Sequence, residues 1–246
     1  MSNEGKEMNR TLYEAFHLLS DSLHSKALRK RRFKRLMKVR NLESQIRVNI
    51  GCGDGWSREG WLGMDYRARR MVYEKKEGAH RGYDIDWNVL WGLPFGNETV
   101  EAIYMSHVLE HFTYNESCFI TAECFRVLRR GGRMRVVVPD LDLYVTKFVE
   151  GNLPFFKNPR IAGGFWLGNL TDTFLMNFYS DPSYNNNCHK YAYNFENLSH
   201  RLRQQGFGMI ERSAYMTSRW SEFNHSDFDS SNQDVPAFSL YVDAEK

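Results

Sequence analysis

The sequence lacks the features that mark membrane proteins, secreted proteins and disulfide-stabilised proteins. It has no uninterrupted apolar run of the roughly 20 residues that a transmembrane helix needs. Its opening residues, MSNEGKEMNR, are polar and contain no apolar core of a secretory signal. Its 4 cysteines show neither CxxC pairing nor the spacing of a disulfide framework. A cytoplasmic protein with reduced thiols is therefore expected.

Glycine and proline are also too few, and the net charge is too small, to indicate a specialised class of protein. The 246 residues include 18 glycines and 6 prolines, which excludes collagen-like chains and chains disordered throughout. The hydrophobic fraction of 42% is that of a globular protein. The formal net charge of +3 is too small to dictate a partner. One domain with additions is the expectation at this length.

Basic residues are concentrated near the N-terminus. Lys26–Arg40 holds nine basic residues and no acid. Phe33, Leu36 and Met37 fall on one helical face, so residues 1–45 are expected to form a basic helical extension. Such a helix could bind the phosphates of a nucleic acid or an anionic membrane surface. It could equally dock on its own protein and leave the basic face in solvent.

Alternating strands and helices begin after this extension. Short strands are expected to end at Ile50, Asp65, Asp86 and Met105, and Met134–Val138 is a buried strand closed by a proline. This alternation predicts an α/β fold with a mostly parallel sheet and helices on both faces.

Two further helices are predicted from apolar periodicity and glycine signals. Ile120, Cys124 and Leu128 form part of one helical stripe, and this helix is expected to end at Gly131-Gly132. Asn194 is expected to cap a later helix that ends at Gly206. Strands near residues 209–215 and 238–242 then complete the sheet as a hairpin.

Residues 151–190 have weak periodicity and many aromatic rings, which indicates an insertion over the sheet. The rings could roof a pocket and stack on a flat acceptor, or they could form a second small core. They are Phe155, Phe156, Phe165, Trp166, Phe174, Phe178, Tyr179 and Tyr184.

A glycine loop, Gly51-Cys52-Gly53-Asp54-Gly55, follows the first strand directly. Glycines at this place let the backbone approach a nucleotide-like ligand closely. Trp56 occupies the position that a dinucleotide fingerprint reserves for glycine, so a dinucleotide is disfavoured. Asp65, at the end of the next strand, can accept hydrogen bonds from both ribose hydroxyls of a nucleoside.

The segment SHVLEH, Ser106–His111, follows the fourth strand, where ligands of parallel sheets bind. His107 and His111 lie one helical turn apart. The letters also spell HxxEH, the inverted zinc-peptidase motif, in which both histidines would bind zinc and Glu110 would activate water. The preceding glycine loop argues against a zinc hydrolase, and no metal is expected.

Taken in order, VNIGCGDG, GMDY, LPFGNETVEAIYMSHVLEHF, ECFRVLRRGGRMRVVVPDL and SLYVDAEK resemble the class I S-adenosylmethionine-dependent methyltransferases. The resemblance extends over about residues 46–246 and is strongest to small predicted methyltransferases that are often associated with glycan biosynthesis. It implies a Rossmann-like sheet of seven strands with an antiparallel last strand. It also implies S-adenosylmethionine as the cofactor.

The resemblance further implies where the cofactor lies. The glycine loop would pass under its amino-acid part, Asp65 would hold the ribose, and Asp86 would hold the adenine, with Asp84 as a competitor. Asn49 stands where many members of the family have an acid, so backbone carbonyls are expected to hold the ammonium group. The implied cofactor-binding residues are Asn49, Gly51, Cys52, Gly53, Asp65, Tyr66, Asp86, Trp87, Ser106 and His107.

The expected reaction is methylation of an oxygen of a small-molecule or carbohydrate-type acceptor, and the carbohydrate class rests on the resemblance alone. A hydroxyl acceptor must lose a proton, for which histidine is the natural base. The candidates are His107, His111 and His189. Two alternatives remain open: a nucleic-acid-associated methyltransferase that uses residues 26–40, and a noncatalytic protein that binds the cofactor. The absence of a DPPY-type motif makes methylation of a base less expected.

Overall fold

The computed structural model describes residues 26–31, 33–34, 46–53, 58–66, 84–158, 166–179, 188–225, 228 and 238–246. Most of the predicted N-terminal extension therefore lies outside the described residues. The same holds for Trp56, Phe165 and Tyr184, which the sequence singled out.

A sheet of seven strands forms the centre of the fold, in the order β3-β2-β1-β4-β5-β7-β6. Strands β1 to β5 pair in parallel, and β7 pairs antiparallel with both β5 and β6. This confirms the predicted Rossmann-like sheet with its antiparallel end. The strands are β1 Ile46–Ile50, β2 Leu62–Asp65, β3 Ile85–Asp86, β4 Val100–Ser106, β5 Leu128–Pro139, β6 Met209–Ser213 and β7 Ser239–Glu245.

Helices surround the sheet. Residues 26–31 and 33–34 are helical and are labelled α1. The others are α2 Tyr114–Val127, α3 Leu141–Val149, α4 Leu153–Lys157, α5 Leu170–Tyr179 and α6 Phe195–Gln205, with 3-10 turns at Val89–Trp91, Leu109–His111 and Ser221–Phe223. The predicted cap of α6 is confirmed: Asn194 accepts from the backbone N–H of Asn197, and Gly206 closes the helix at φ 104°.

The predicted end of α2 at Gly131-Gly132 is wrong, because the helix ends at Val127. Leu128 is already extended, at φ −63° and ψ 133°, and pairs with Val100 in the sheet. Leu128 is buried, as its place in the apolar stripe indicated. The sheet rather than the helix covers it, and β5 continues through both glycines with a shift in register.

Two apolar layers cover the faces of the sheet. Ile120 of α2 and Leu198 of α6 belong to the larger one. The other layer includes Trp61, Tyr104 and Phe223. Within the described residues no helix is long and apolar enough to cross a bilayer. None of the four cysteines, all of which are among the described residues, forms a disulfide.

Part of the aromatic insertion forms a third apolar cluster. Tyr144, Phe156, Phe178 and Phe238 are buried together, and Phe155 and Phe174 pack against them. Trp166 and Tyr179 are exposed. The packing favours the second small core among the two interpretations, while a role as a lid over the site stays a prediction.

A buried ion pair joins β5 to β7. Arg135 Nε lies 2.7 Å from Asp243 Oδ1, and the two side chains are 1% and 0% exposed. Ser218 Oγ donates to Asp243 Oδ2, and Arg135 donates to Ser213 Oγ. The pair thus has the additional hydrogen bonds that a buried charge requires.

Candidate active site

The glycine loop turns sharply after β1. Gly51 and Gly53 both have φ of +71°, a conformation that glycine adopts without strain. The N–H of Gly51 donates to the carbonyl of Met64 in β2. A Cβ at Gly51 would overlap Val108 Cγ2, whereas a Cβ at Gly53 would meet nothing within 4 Å. The loop therefore packs directly against the segment that carries His107.

Asp65 ends β2 beside this loop. Its Oδ2 accepts from the N–H of Gly53 at 2.7 Å, and its Oδ1 accepts from the N–H of Tyr66 at 2.6 Å. A carboxylate offers about four lone-pair positions. The side chain can therefore bind ribose hydroxyls while it holds the loop.

A cavity of about 410 Å³ opens between the loop and the end of β4. Its size is that of a small-molecule site. Of the implied cofactor residues, Gly51, Gly53, Asp65, Tyr66, Trp87 and His107 line it. The others, Asn49, Cys52, Asp86 and Ser106, are not among its lining residues. The glycine loop, an acid and aromatic rings are the groups that the parts of S-adenosylmethionine require, so the residues fit this cofactor.

At the predicted adenine end of the cofactor site, two acids and a tryptophan make specific contacts within the protein. Asp84 Oδ2 accepts from the N–H of Gly63 at 3.0 Å, so this acid ties β2 to the start of β3. Trp87 is buried, and its indole N–H donates to the carbonyl of Gly92 at 2.6 Å. Asp86 Oδ1 lies 3.1 Å from the guanidinium of Arg29.

Helix α1 docks beside this end of the cavity. The guanidinium of Arg29 lies over Tyr66 and Trp91, at 4.9 Å and 5.5 Å from the ring centroids. Phe33 meets Phe95 edge-on, with the centroids 5.3 Å apart. In its described part, the basic segment thus packs on its own protein, as the docking alternative predicted.

His107 directly follows β4 and has an unusual backbone conformation, with φ of +53°. Such a conformation is costly for a residue with a side chain and is typical of functional sites. Its Nδ1 lies 3.1 Å from Glu110 Oε1, and its Nε2 lies 3.0 Å from Ser239 Oγ. Ser239 is 132 residues away in the chain. No local motif could have linked it to His107.

Glu110 lies close to His107, His111 and His189 and is 1% exposed. Burial acts to raise the pKa of this carboxyl. The hydrogen bond from His107 and the charges of His107, His111 and His189 outweigh burial, so the pKa lies below its ordinary value. Glu110 is therefore a buried carboxylate.

His111 and His189 contact each other close to Glu110. Their ring centroids are 5.0 Å apart. His189 Nδ1 is 2.6 Å from the carbonyl oxygen of Asn177, and His111 Nδ1 is 3.4 Å from that of Cys188. Burial lowers the pKa of His189, and the charge of Glu110 opposes this effect. The grouping differs from the HxxEH pattern, because His111 joins His189 rather than His107.

The sequence also missed several residues that shape the cavity. The 3-10 turn after β3 contributes Asn88, Val89 and Leu90, and the segment after β4 contributes Val108 and Phe112. Asn88 caps its turn by accepting from the N–H of Leu90. An Asn before a short apolar run is a turn signal, but it does not indicate that the turn borders a cavity.

Comparison with known proteins finds one matching family. Residues 48–136 match the family model of a methyltransferase domain. No curated protein matches the sequence.

Solved structures provide more distant similarities. A SAM-dependent methyltransferase from Archaeoglobus fulgidus is 14% identical, with 94% of this chain and 99% of that chain covered, at a TM-score of 0.48. A possible histamine N-methyltransferase from Thermotoga maritima is 14% identical, with 95% and 99% covered, at 0.44. A putative methyltransferase from Haloferax volcanii, solved with the Trm112 methyltransferase activator, is 12% identical, with 94% and 96% covered, at 0.44. Nothing about the acceptor follows from them.

The family match includes the last three residues of the first strand, the glycine loop, Asp65 and the histidine segment. The seven strands and the antiparallel β7 are those that the resemblance implied. Residues 48–136 therefore belong to the methyltransferase-domain family, and the sheet and the cavity around them are consistent with a class I S-adenosylmethionine-dependent methyltransferase whose cofactor is S-adenosylmethionine.

Proposed function

We propose that this methyltransferase acts on an oxygen of a small-molecule or carbohydrate-type acceptor. One observation carries the proposal: His107 and His111 line the same cavity as Asp65. A hydroxyl has to lose a proton when it is methylated, and imidazole is the side chain best suited to take one near neutral pH.

The chemistry requires little more than position. S-adenosylmethionine, when bound, supplies a methyl group on a sulfonium, and the electrons of the carbon–sulfur bond stay on sulfur. The acceptor oxygen forms the new bond to the methyl carbon, and its proton passes to a base. Holding the two partners in line can contribute about 7 kcal/mol or more. The protein therefore needs a rigid loop, a ribose anchor and a base.

The base is expected among three histidines. His107 and His111 line the cavity, and His189 contacts His111 from behind. Each is tested by replacement with glutamine. Loss of the base should reduce turnover by about 10²- to 10⁴-fold, with S-adenosylhomocysteine binding as the control for folding. If none of the three variants is slower, the base lies elsewhere or is not needed.

The acceptor class is tested with S-adenosylmethionine that carries carbon-13 in its methyl group. The protein is incubated with separated small-molecule, glycan, nucleic-acid and protein fractions, and Asp65→Ala serves as the control for cofactor-dependent labelling. We expect label in the small-molecule or glycan fraction, with the chemical shift of a methyl group on oxygen. Label on nitrogen, or in nucleic acid or protein, would contradict the proposal. Cofactor binding without labelling of any fraction would favour a noncatalytic protein.

A further inference from the structure

We propose that Glu110, His111 and His189 bind one divalent transition-metal ion at the wall of the cofactor cavity. Each residue offers one ligand atom, and the three atoms lie within 4.8 Å of one another. The ligands of a tetrahedral zinc ion are about 3.4 Å apart, given metal–ligand distances of about 2.1 Å. Small side-chain rotations would therefore close the site around an ion. This grouping was not predictable from local spacing, because His189 is 78 residues from His111.

The two imidazoles are already oriented for coordination. A carbonyl oxygen can only accept a hydrogen bond, so the 2.6 Å contact of His189 Nδ1 with the carbonyl of Asn177 places a proton on Nδ1. In that neutral form Nε2 carries the lone pair. His111 Nδ1 faces the carbonyl of Cys188 in the same way, at 3.4 Å. Histidines that bind metals characteristically donate their other N–H to a backbone carbonyl or a carboxylate.

The carboxylate provides the second, independent observation. Glu110 is 1% exposed, and its Oε2 has no hydrogen-bond partner among the described residues. A buried carboxylate oxygen without a partner is costly, and native proteins rarely leave one. The other oxygen, Oε1, lies 3.1 Å from His107 Nδ1. A cation between Oε2 and the two imidazoles would compensate the remaining charge.

The donor set indicates the class of metal. Two imidazoles and one carboxylate suit Zn²⁺, Co²⁺ or Fe²⁺. Mg²⁺ and Ca²⁺ prefer six or more oxygen ligands, which this site does not supply. Three protein ligands also leave a coordination position open. Since His111 lines the cavity, that position is available to an acceptor oxygen, an assignment that rests on the proposed function and would leave His107 as the base.

The experiment is metal titration of the full chain after treatment with EDTA. Co²⁺ binding is followed by its visible absorption, Zn²⁺ by calorimetry and by competition with Co²⁺, and Mg²⁺ is titrated for comparison. We expect one Co²⁺ or Zn²⁺ per chain. Affinity should fall at least 100-fold in Glu110→Gln and in His189→Gln. His200→Gln, on the exposed surface of α6, is the matched control and should bind metal like the wild type.

Three outcomes would overturn the site: no stoichiometric binding of Co²⁺ or Zn²⁺, equal affinity in the wild type and both variants, or binding of Mg²⁺ alone. Thermal unfolding of each variant verifies that it is folded. If Glu110→Gln does not fold, His189→Gln decides. Stabilisation by S-adenosylhomocysteine is measured on the same samples. If S-adenosylhomocysteine stabilises the protein but no metal binds, the metal site alone is rejected. If metal binds but S-adenosylhomocysteine does not stabilise the protein, the proposed function alone is rejected.

Discussion

The backbone N–H of Gly53 donates to Asp65 Oδ2 over 2.7 Å. The acid that is predicted to hold the ribose therefore also holds the loop that is predicted to pass under the cofactor's amino-acid part. Two portions of one ligand would be positioned by a single carboxylate.

Substitution of Asp65 should weaken cofactor binding through both roles. In the wild type, S-adenosylhomocysteine at about 100 times its dissociation constant should stabilise the fold by about 2.7 kcal/mol. For a chain of this size, that is a rise in Tm of roughly 5–10 °C. Asp65→Ala should abolish most of the rise. Asp65→Asn keeps an oxygen that can accept the hydrogen bond from the Gly53 N–H, so this variant should retain part of the rise in Tm. An undiminished rise in Asp65→Ala would remove Asp65 from the site.

Gly51→Ala should destabilise the protein more than Gly53→Ala. Both residues share φ of +71°, so both substitutions carry a backbone cost of about 1–2 kcal/mol. Only the Cβ at position 51 would overlap Val108, which adds about 1–3 kcal/mol. Urea unfolding measures the difference, and Val108→Ala should restore part of the stability in the double variant. Equal losses in the two single variants would show that the contact with Val108 is unimportant.

Arg29→Ala should weaken S-adenosylhomocysteine binding about fivefold. The substitution removes a partly exposed ion pair with Asp86 and the stacking on Tyr66 and Trp91, which together contribute on the order of 1 kcal/mol. Lys30→Ala makes the same change in charge on the exposed side of α1 and is the control. Calorimetric affinities compare the two. If the variants bind alike, α1 does not support the cavity.

Asp243→Ala should be strongly destabilising, by about 3–5 kcal/mol, because it leaves the buried guanidinium of Arg135 without its carboxylate. Arg130→Ala, at a side chain that is 92% exposed, is the surface control and should change stability by less than about 0.5 kcal/mol. The measurement is the free energy of unfolding in urea. Similar values for the two variants would mean that the pair is replaceable.

The fold was predictable because its signals are local. Strand and helix alternation, the cap at Asn194 and the glycine at 206 are each contained within a few residues. The end of α2 was not predictable in this way. Leu128 satisfies the apolar stripe of the helix and the buried edge of β5 equally well, and its pairing with Val100 decides between them.

The candidate site also combines features that local signals predict with features that depend on contacts between distant segments. The loop glycines and Asp65 follow strands directly, so the topology alone brings them to one cavity. His107 was expected there for the same reason. Its partner Ser239, and the meeting of His189 with Glu110, depend on contacts between segments that are far apart in the chain. A single sequence contains no local signal for such contacts.

The docking of α1 has a consequence for truncated proteins. A chain that is shortened to remove the basic segment loses the contacts of Arg29 with Tyr66 and Asp86 as well as positive charge. A changed affinity for nucleic acid in such a fragment could then arise from an altered cofactor cavity. Charge reversals at Lys30 and Arg31, which are exposed on α1, change the electrostatics and leave the contacts of Arg29 in place.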